Sequence, residues 1–253
     1  MVSRIIAVMN QKGGVGKTTT TINLGHALVI TGKKVTLLDM DPQGQIATGY
    51  GLENNVSGLD DVLLNDMALD DVKVQARDNL FVVPAGKQLG EFELVTSGGS
   101  ARGHKLRQAI EASSLHDQDF ILIDCPPSSG LLGVNAMFAA GEIVIPVSSD
   151  YLSLQGLSRM IPIVKRAESL SGHEIKLWLL STRMDLRRRL AHEVRNKILN
   201  YFPGRVFKTM IRENVALAEC PSFGKTIFEY KPTSAGAEDY FSLAHDLLER
   251  RMS

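Results

Sequence analysis

Apolar residues in this chain cluster in short runs rich in Val, Ile and Leu, at 5–9, 35–38, 80–83, 120–123 and 143–147, then at 175–180, 206–211 and 226–230. A strand that is apolar at nearly every position needs cover on both faces, which parallel sheets acquire from their crossover helices. Between the runs lie stretches with apolar residues on one helical face, of which 17–29 is the first. Runs and helices in alternation predict a doubly wound α/β fold, a mostly parallel sheet with helices on both faces. No repeat, low-complexity tract or linker interrupts the pattern. Ser97-Gly98-Gly99-Ser100 reads as a loop within the fold, so residues 1–253 are taken as a single domain.

Composition narrows the chemistry more than the fold. With 44% hydrophobic and 22% charged residues the chain can fill a two-sided core. The formal net charge is zero, so a polyanionic partner must be met by a local patch rather than by the field of the whole molecule. One segment qualifies: from Arg183 to Arg212 nine basic residues stand against two acidic ones, a local net charge of +7. Read alone, such a segment is either a solvated helix face or a surface for a phosphate backbone. Cys125 and Cys220 are far apart and each sits in apolar surroundings, which argues for buried thiols in a reducing cytoplasm and against a disulfide framework or zinc cluster. The N-terminus lacks the succession of a signal peptide, and no run approaches the ~18 apolar residues of a membrane span, so a soluble protein is expected.

The first run leads into Gln11-Lys12-Gly13-Gly14-Val15-Gly16-Lys17-Thr18-Thr19 and then into a helix. Strand, Gly-rich turn and helix in that order are the setting of a phosphate loop. Its glycines let backbone N–H groups converge on a phosphate, and the helix N-terminus adds partial positive charge. Lys17 is then placed to bridge the β- and γ-phosphates of ATP, and the Thr18 hydroxyl to ligate Mg²⁺. The loop departs from the plain motif at its start, where Gln11 replaces the first glycine and a second lysine, Lys12, follows.

Two later runs end in acids, Leu38-Asp39-Met40-Asp41 and Ile123-Asp124. Acids just beyond such strands lie at the carboxyl edge of the sheet, where this fold binds ligands. Asp124 is the candidate to hold Mg²⁺ through water, since Mg²⁺ keeps much of its hydration. Asp39 and Asp41 alternate faces as far as the strand persists, and so take different parts. Asp41, nearer the exposed end, is assigned to the attacking water and is a second candidate for the cation through water; Asp39 is assigned to support.

The loop with its extra lysine resembles that of the deviant Walker A ATPases, the ParA/MinD group. The resemblance extends through Asp41-Pro42-Gln43-Gly44, Asp124-Cys125-Pro126-Pro127, Ile145-Pro146-Val147, Leu154-Gln155-Gly156-Leu157 and Pro221-Ser222-Phe223-Gly224-Lys225, and these look like the ParA/Soj branch. It implies a slow ATPase in which Lys12 reaches across a homodimer to the partner's nucleotide, with ATP sandwiched between subunits. It also implies binding of the ATP dimer to non-specific DNA, with release when a ParB-like or cargo-adaptor protein stimulates hydrolysis, on the nucleoid in the cytoplasm. Relatives commonly read Ile-Pro-Arg-Asn-Val-Arg where this chain has Ile211-Arg212-Glu213-Asn214-Val215-Ala216. Asn214, and Arg212 in place of the relatives' Pro, are therefore the candidate base contacts. Ala216 replaces an arginine implicated in DNA contact, so that contact falls to Arg187, Arg188 and Arg189. A first strand starting near residue 4 leaves no room for a preceding helix-turn-helix, and operator-specific reading is not expected.

Two relatives of the same group fit the chain less well. A membrane-bound ATPase of the MinD type needs a basic amphipathic tail, whereas 235–253 carries Glu238, Asp239, Asp246 and Glu249 on its polar side, which favours a helix packed on the domain. The nitrogenase iron protein needs cluster-ligating cysteines near a dimer axis, a role that Cys125 and Cys220 do not suit. A nucleotide-dependent scaffold without turnover needs no residue to position water, and Asp41 speaks against it.

Overall fold

The computed structural model describes residues 3–53, 57–94, 99–128 and 130–253, with the backbone alone for residues 100 and 151–155. Seven strands among the described residues form one sheet: β1 (Arg4–Val8), β2 (Val35–Asp39), β3 (Val74–Arg77), β4 (Leu80–Val83), β5 (Phe120–Asp124), β6 (Glu142–Ser148) and β7 (Lys176–Thr182). Their order is β3-β4-β2-β5-β1-β6-β7. Every neighbouring pair is parallel except β3 with β4. The doubly wound, mostly parallel sheet expected from the apolar runs is the fold observed.

Each central strand divides its side chains between two cores. Ile6, Val8, Leu37 and Leu122 pack under the first helix, α1 (Lys17–Ile30), and the C-terminal Ala235–Glu249 helix. Ala7, Leu38, Ile121 and Ile123 face the opposite layer, which includes the Leu131–Ala139, Tyr151–Ser171 and Arg189–Tyr201 helices. All five residues of β2 and of β5 are buried, which is why those strands read as largely apolar runs, broken by Thr36 and closed by Asp39 and Asp124.

Three segments differ from expectation. β3, Val-Gln-Ala-Arg, has no apolar run to announce it, being a partly exposed edge strand. It is joined to β4 by the tight Asp78-Asn79 turn, where Asn79 has φ 59°. Residues 226–230 form no strand: Ile227–Tyr230 is one helical turn, opened by a capping box in which Thr226 and Glu229 satisfy each other's backbone N–H groups. Residues 206–211 run beside β7 without completing a ladder, making an isolated bridge at Leu179–Val206. Side chains claim the backbone in between: Arg195 donates to the Lys208 carbonyl at 2.8 Å and Asp246 accepts the Thr209 N–H at 2.7 Å. Residues 97 and 98 of the expected loop lie outside the described residues, as do the side chains of Leu154 and Gln155.

A phosphate-loop cleft and an exposed arginine segment

β1, β2 and β5 deliver their carboxyl ends to one point, because Val8 and Asp39 are both register partners of Asp124. From there residues 10–16 turn into α1. Gly14 (φ 72°) and Gly16 (φ 90°) occupy the left-handed region, and a side chain at either would be strained. Gly16 caps α1 without any side-chain acceptor, and no acid lies in the first turn. The N–H groups and the positive end of the helix are left for an anion.

The loop is fastened from below and from the side. Asn10, buried, donates to the Pro146 carbonyl at 2.8 Å and accepts the Lys12 N–H at 3.0 Å. Thr182 Oγ1 donates to the Val15 carbonyl at 2.8 Å, and Arg183 Nη1 to that of Gly14 at 3.1 Å. Lys17 is buried, its ammonium 3.5 Å from the Lys12 carbonyl. The Lys12 ammonium pairs with Asp150 at 2.5 Å, and Asp150 in turn accepts the Ser148 hydroxyl. Sequence reasoning misses Asn10, Thr182, Arg183 and Asp150. All four lie at the carboxyl ends of β1, β6 and β7, a position that becomes informative only when the strand order is known.

The acids take separate parts. Asp124 is fully buried and accepts the Thr18 hydroxyl at 2.6 Å and the Thr21 hydroxyl at 3.2 Å, both from α1. Burial, opposed by the threonines and Lys17 and reinforced by Asp41, pushes its carboxyl up to about 7. Asp39, also fully buried, accepts the N–H groups of Ile46 at 2.9 Å and Asp41 at 3.2 Å, and so fixes the turn that carries Asp41. Burial and then Asp124 raise its pKa. Asp41 lines the cleft and accepts the Gln43 N–H at 3.0 Å. Thr18, Asp124 and Asp41 make an all-oxygen donor set carrying more acid than Lys17 balances, which suits a small hard dication. Among the described residues no three His, Cys, Asp or Glu are grouped so as to hold a metal by themselves.

The cleft above these groups has a volume of about 700 Å³, and 211–218 forms its outer wall. The AAA domain family model matches residues 3–177. The sporulation initiation inhibitor protein Soj of Bacillus subtilis is 41% identical over 248 residues, covering 96% of this chain and 98% of that one. The chromosome partitioning protein ParA of Myxococcus xanthus is 39% identical over 98% of this chain and 89% of its own. The chain belongs to the ParA/Soj family of partition ATPases. Among solved structures, Mycobacterium smegmatis cobyrinic acid a,c-diamide synthase with ADP and magnesium superposes with a TM-score of 0.84 at 27% identity, over 98% of this chain and 95% of that one. The septum site-determining protein MinD of Pyrococcus horikoshii with Mg-ADP superposes with a TM-score of 0.78 at 27% identity, over 97% and 96%.

The remaining candidates divide within this ParA/Soj chain. Asn214 lines the cleft, its side-chain oxygen accepting the Ala216 N–H at 2.9 Å and so capping the Val215–Glu219 helix. Arg212 also lines the cleft, but its guanidinium is turned onto the C-terminal helix, 2.6 Å from Asp239 and 2.7 Å from Glu238. Those hydrogen bonds hold it firmly protonated. Of the tail acids expected on the solvent side, Asp239 and Asp246 are thus buried and satisfied from within, the latter by Arg251 and the Thr209 N–H. The +7 segment is likewise less exposed than its sequence suggests, because Arg195 is spent on internal carbonyls and Arg212 on Asp239. Arg187, Arg188 and Arg189 do face solvent, their side chains 90%, 72% and 93% exposed. Asp185 accepts Arg187 at 2.9 Å and lies 3.1 Å from Arg188, and these interactions hold its carboxyl down at about 2. Ala216 is 4% exposed, so that position faces the core. Cys125 and Cys220 are both buried, with thiols pushed up by burial, as expected of packing residues.

Proposed function

We propose that the protein is a slow, ATP-hydrolysing partition switch, in which an ATP-sandwiched homodimer holds non-specific DNA and is released when a ParB-like or cargo-adaptor protein stimulates turnover. The observation that carries this reading is the continuity from phosphate loop to basic surface. Thr182 and Arg183 touch the loop, and the exposed Arg187, Arg188 and Arg189 follow on the same segment. A change of state at the loop has a short covalent path to the cations that meet the phosphate backbone. Cations bound to phosphates confer affinity through counterion release and carry little sequence information.

In this reading the N–H groups of Gly13 to Thr19 cradle the phosphates, and Lys17 neutralises charge at the transferred group. Thr18 would hold Mg²⁺ directly and Asp124 through water, and the ion when bound would supply positive charge against the phosphates. Asp41, fixed by the turn that Asp39 ties down, orients the attacking water. Lys12 lies on the rim of the site, about a third exposed, where a second copy can bring its own nucleotide within reach. Asn214, and Arg212 through its hold on the C-terminal helix, shape the base end.

The cargo is read as a plasmid or chromosome because the relatives in the same identity range are named for chromosome partitioning. A protein cargo carried over the nucleoid would use the same switch. Work at the nucleoid places the protein in the cytoplasm. No described helix is long and apolar enough to cross a membrane, and the acids of the C-terminal helix do not favour a surface anchor. Replacing Asp41 with Ala tests the assignment: the ATP-dependent dimer should persist in size-exclusion chromatography while phosphate release stops. Retained turnover would remove Asp41 from its role.

A further inference from the structure

β7 ends at Thr182, and the next residue, Arg183, adopts a left-handed backbone (φ 52°) that non-glycine residues seldom take. Neighbouring segments hold it there. The Arg183 carbonyl accepts the Ser149 hydroxyl at 3.0 Å, Met184 N–H donates to the Ile211 carbonyl at 3.0 Å, and Glu213 N–H donates to the Met184 carbonyl at 3.2 Å. The side chain is thereby set at the cleft, with Nη1 donating to the Gly14 carbonyl at 3.1 Å and Nη2 3.6 Å from Glu213 Oε1. One guanidinium therefore spans the cleft from phosphate loop to outer wall.

Among the described residues, three cations line this cleft: Lys17, Arg183 and Arg212. Lys17 is buried beneath the loop, and Arg212 is locked onto Asp239. Arg183 is held by a loop carbonyl and by a half-exposed carboxylate, a pairing of the weak surface kind. The cleft itself has two chemical ends. Loop amides and the α1 N-terminus suit phosphates, whereas Ile211, Val215, Leu217, Ala218 and Tyr240 provide the apolar end where a flat base belongs. Arg183 bridges the two.

We propose that Arg183 is a nucleotide-positioning residue: it closes over the base and ribose of the bound nucleotide, its guanidinium plane against the base and its Gly14 bond tying loop to wall. Arginine suits both tasks, because the planar group stacks on aromatic faces while its in-plane N–H groups donate. The inference rests on the nucleotide reading above and adds a retaining strap to it.

Release of a fluorescent ADP analogue from the full-length protein, followed by stopped flow, tests it. R183M should release about tenfold faster, the size of one charge-assisted hydrogen bond, and R183K, which keeps a donor but no plane, about threefold faster. Inorganic tripolyphosphate, which has no base, should displace the analogue with the same inhibition constant in wild type and variants. Unchanged release in both variants overturns the proposal. Equal weakening of tripolyphosphate also overturns it, by placing Arg183 on the phosphates. Failure of the wild type to bind the analogue overturns the nucleotide reading itself, and the strap with it. Melting temperatures without nucleotide should match, and if R183M does not fold, R183K alone decides.

Discussion

Asp124→Asn should stabilise the protein free of nucleotide and Mg²⁺, and the gain should grow with pH. Asp124 is fully buried, and its carboxyl is raised to about 7. The unfolded chain holds it near its ordinary value of ~3.9. Between those values the folded state binds a proton that the unfolded state has released, so stability is lost as pH rises and the loss is complete above the folded value. Three units correspond to about 4 kcal/mol at the alkaline end, of which about 2–3 kcal/mol falls between pH 5 and pH 8. Asparagine keeps an oxygen for the Thr18 hydroxyl and removes the charge; it also removes the repulsion that helps raise Asp39. Urea unfolding in EDTA at the two pH values, for both proteins, measures the combined effect of Asp124 and its repulsion of Asp39, because the more distant titrating groups largely cancel. Mg²⁺ with ADP should reverse the order, since only the wild type retains the carboxylate that the ion needs. Parallel stability profiles for the two proteins would refute the claim that the site stores a buried charge awaiting a cation.

Lys12→Ala should bind ATP with near-normal affinity yet fail to form a stable ATP dimer in sedimentation; a normal dimer would contradict its reach across the interface. Replacing Arg187, Arg188 and Arg189 together with Ala should leave turnover intact and weaken DNA binding. The log–log salt slope should fall by about 0.9 for each phosphate that is no longer neutralised, as a filter-binding titration in salt shows. Gly25→Ala should destabilise the fold by about 1–3 kcal/mol, because the added methyl would lie 2.7 Å from a Leu37 terminal carbon, and thermal or urea unfolding checks this.

The sheet is legible in the sequence because its central strands are covered on both faces, which leaves little room for polar residues. β3 is not, since an edge strand closed by a turn needs only a few half-buried side chains. Residues 226–230 mislead for a different reason. Their apolar and aromatic content favours a strand, yet the Thr226 and Glu229 spacing is itself a helix-start signal, and the local hydrogen bonds prevail. At the site, glycine spacing exposes the phosphate loop, and acids after apolar runs expose Asp39 and Asp124. Arg183 and Asp150 carry no local motif; they reach the loop because β6 lies beside β1 and β7 beside β6, and that order follows from topology. Arg212 is a candidate base contact through the resemblance, but its commitment to Asp239 depends on how the C-terminal helix packs.

In the proposed switch, nucleotide state at the phosphate loop governs DNA binding at the arginine segment. Binding of the purified protein to a random-sequence duplex, titrated in salt with Mg²⁺ and either ATP or ADP, tests it most directly. Salt-sensitive, sequence-independent binding with ATP and little with ADP is the expected result. Equal binding with both nucleotides, or none with ATP, would contradict it.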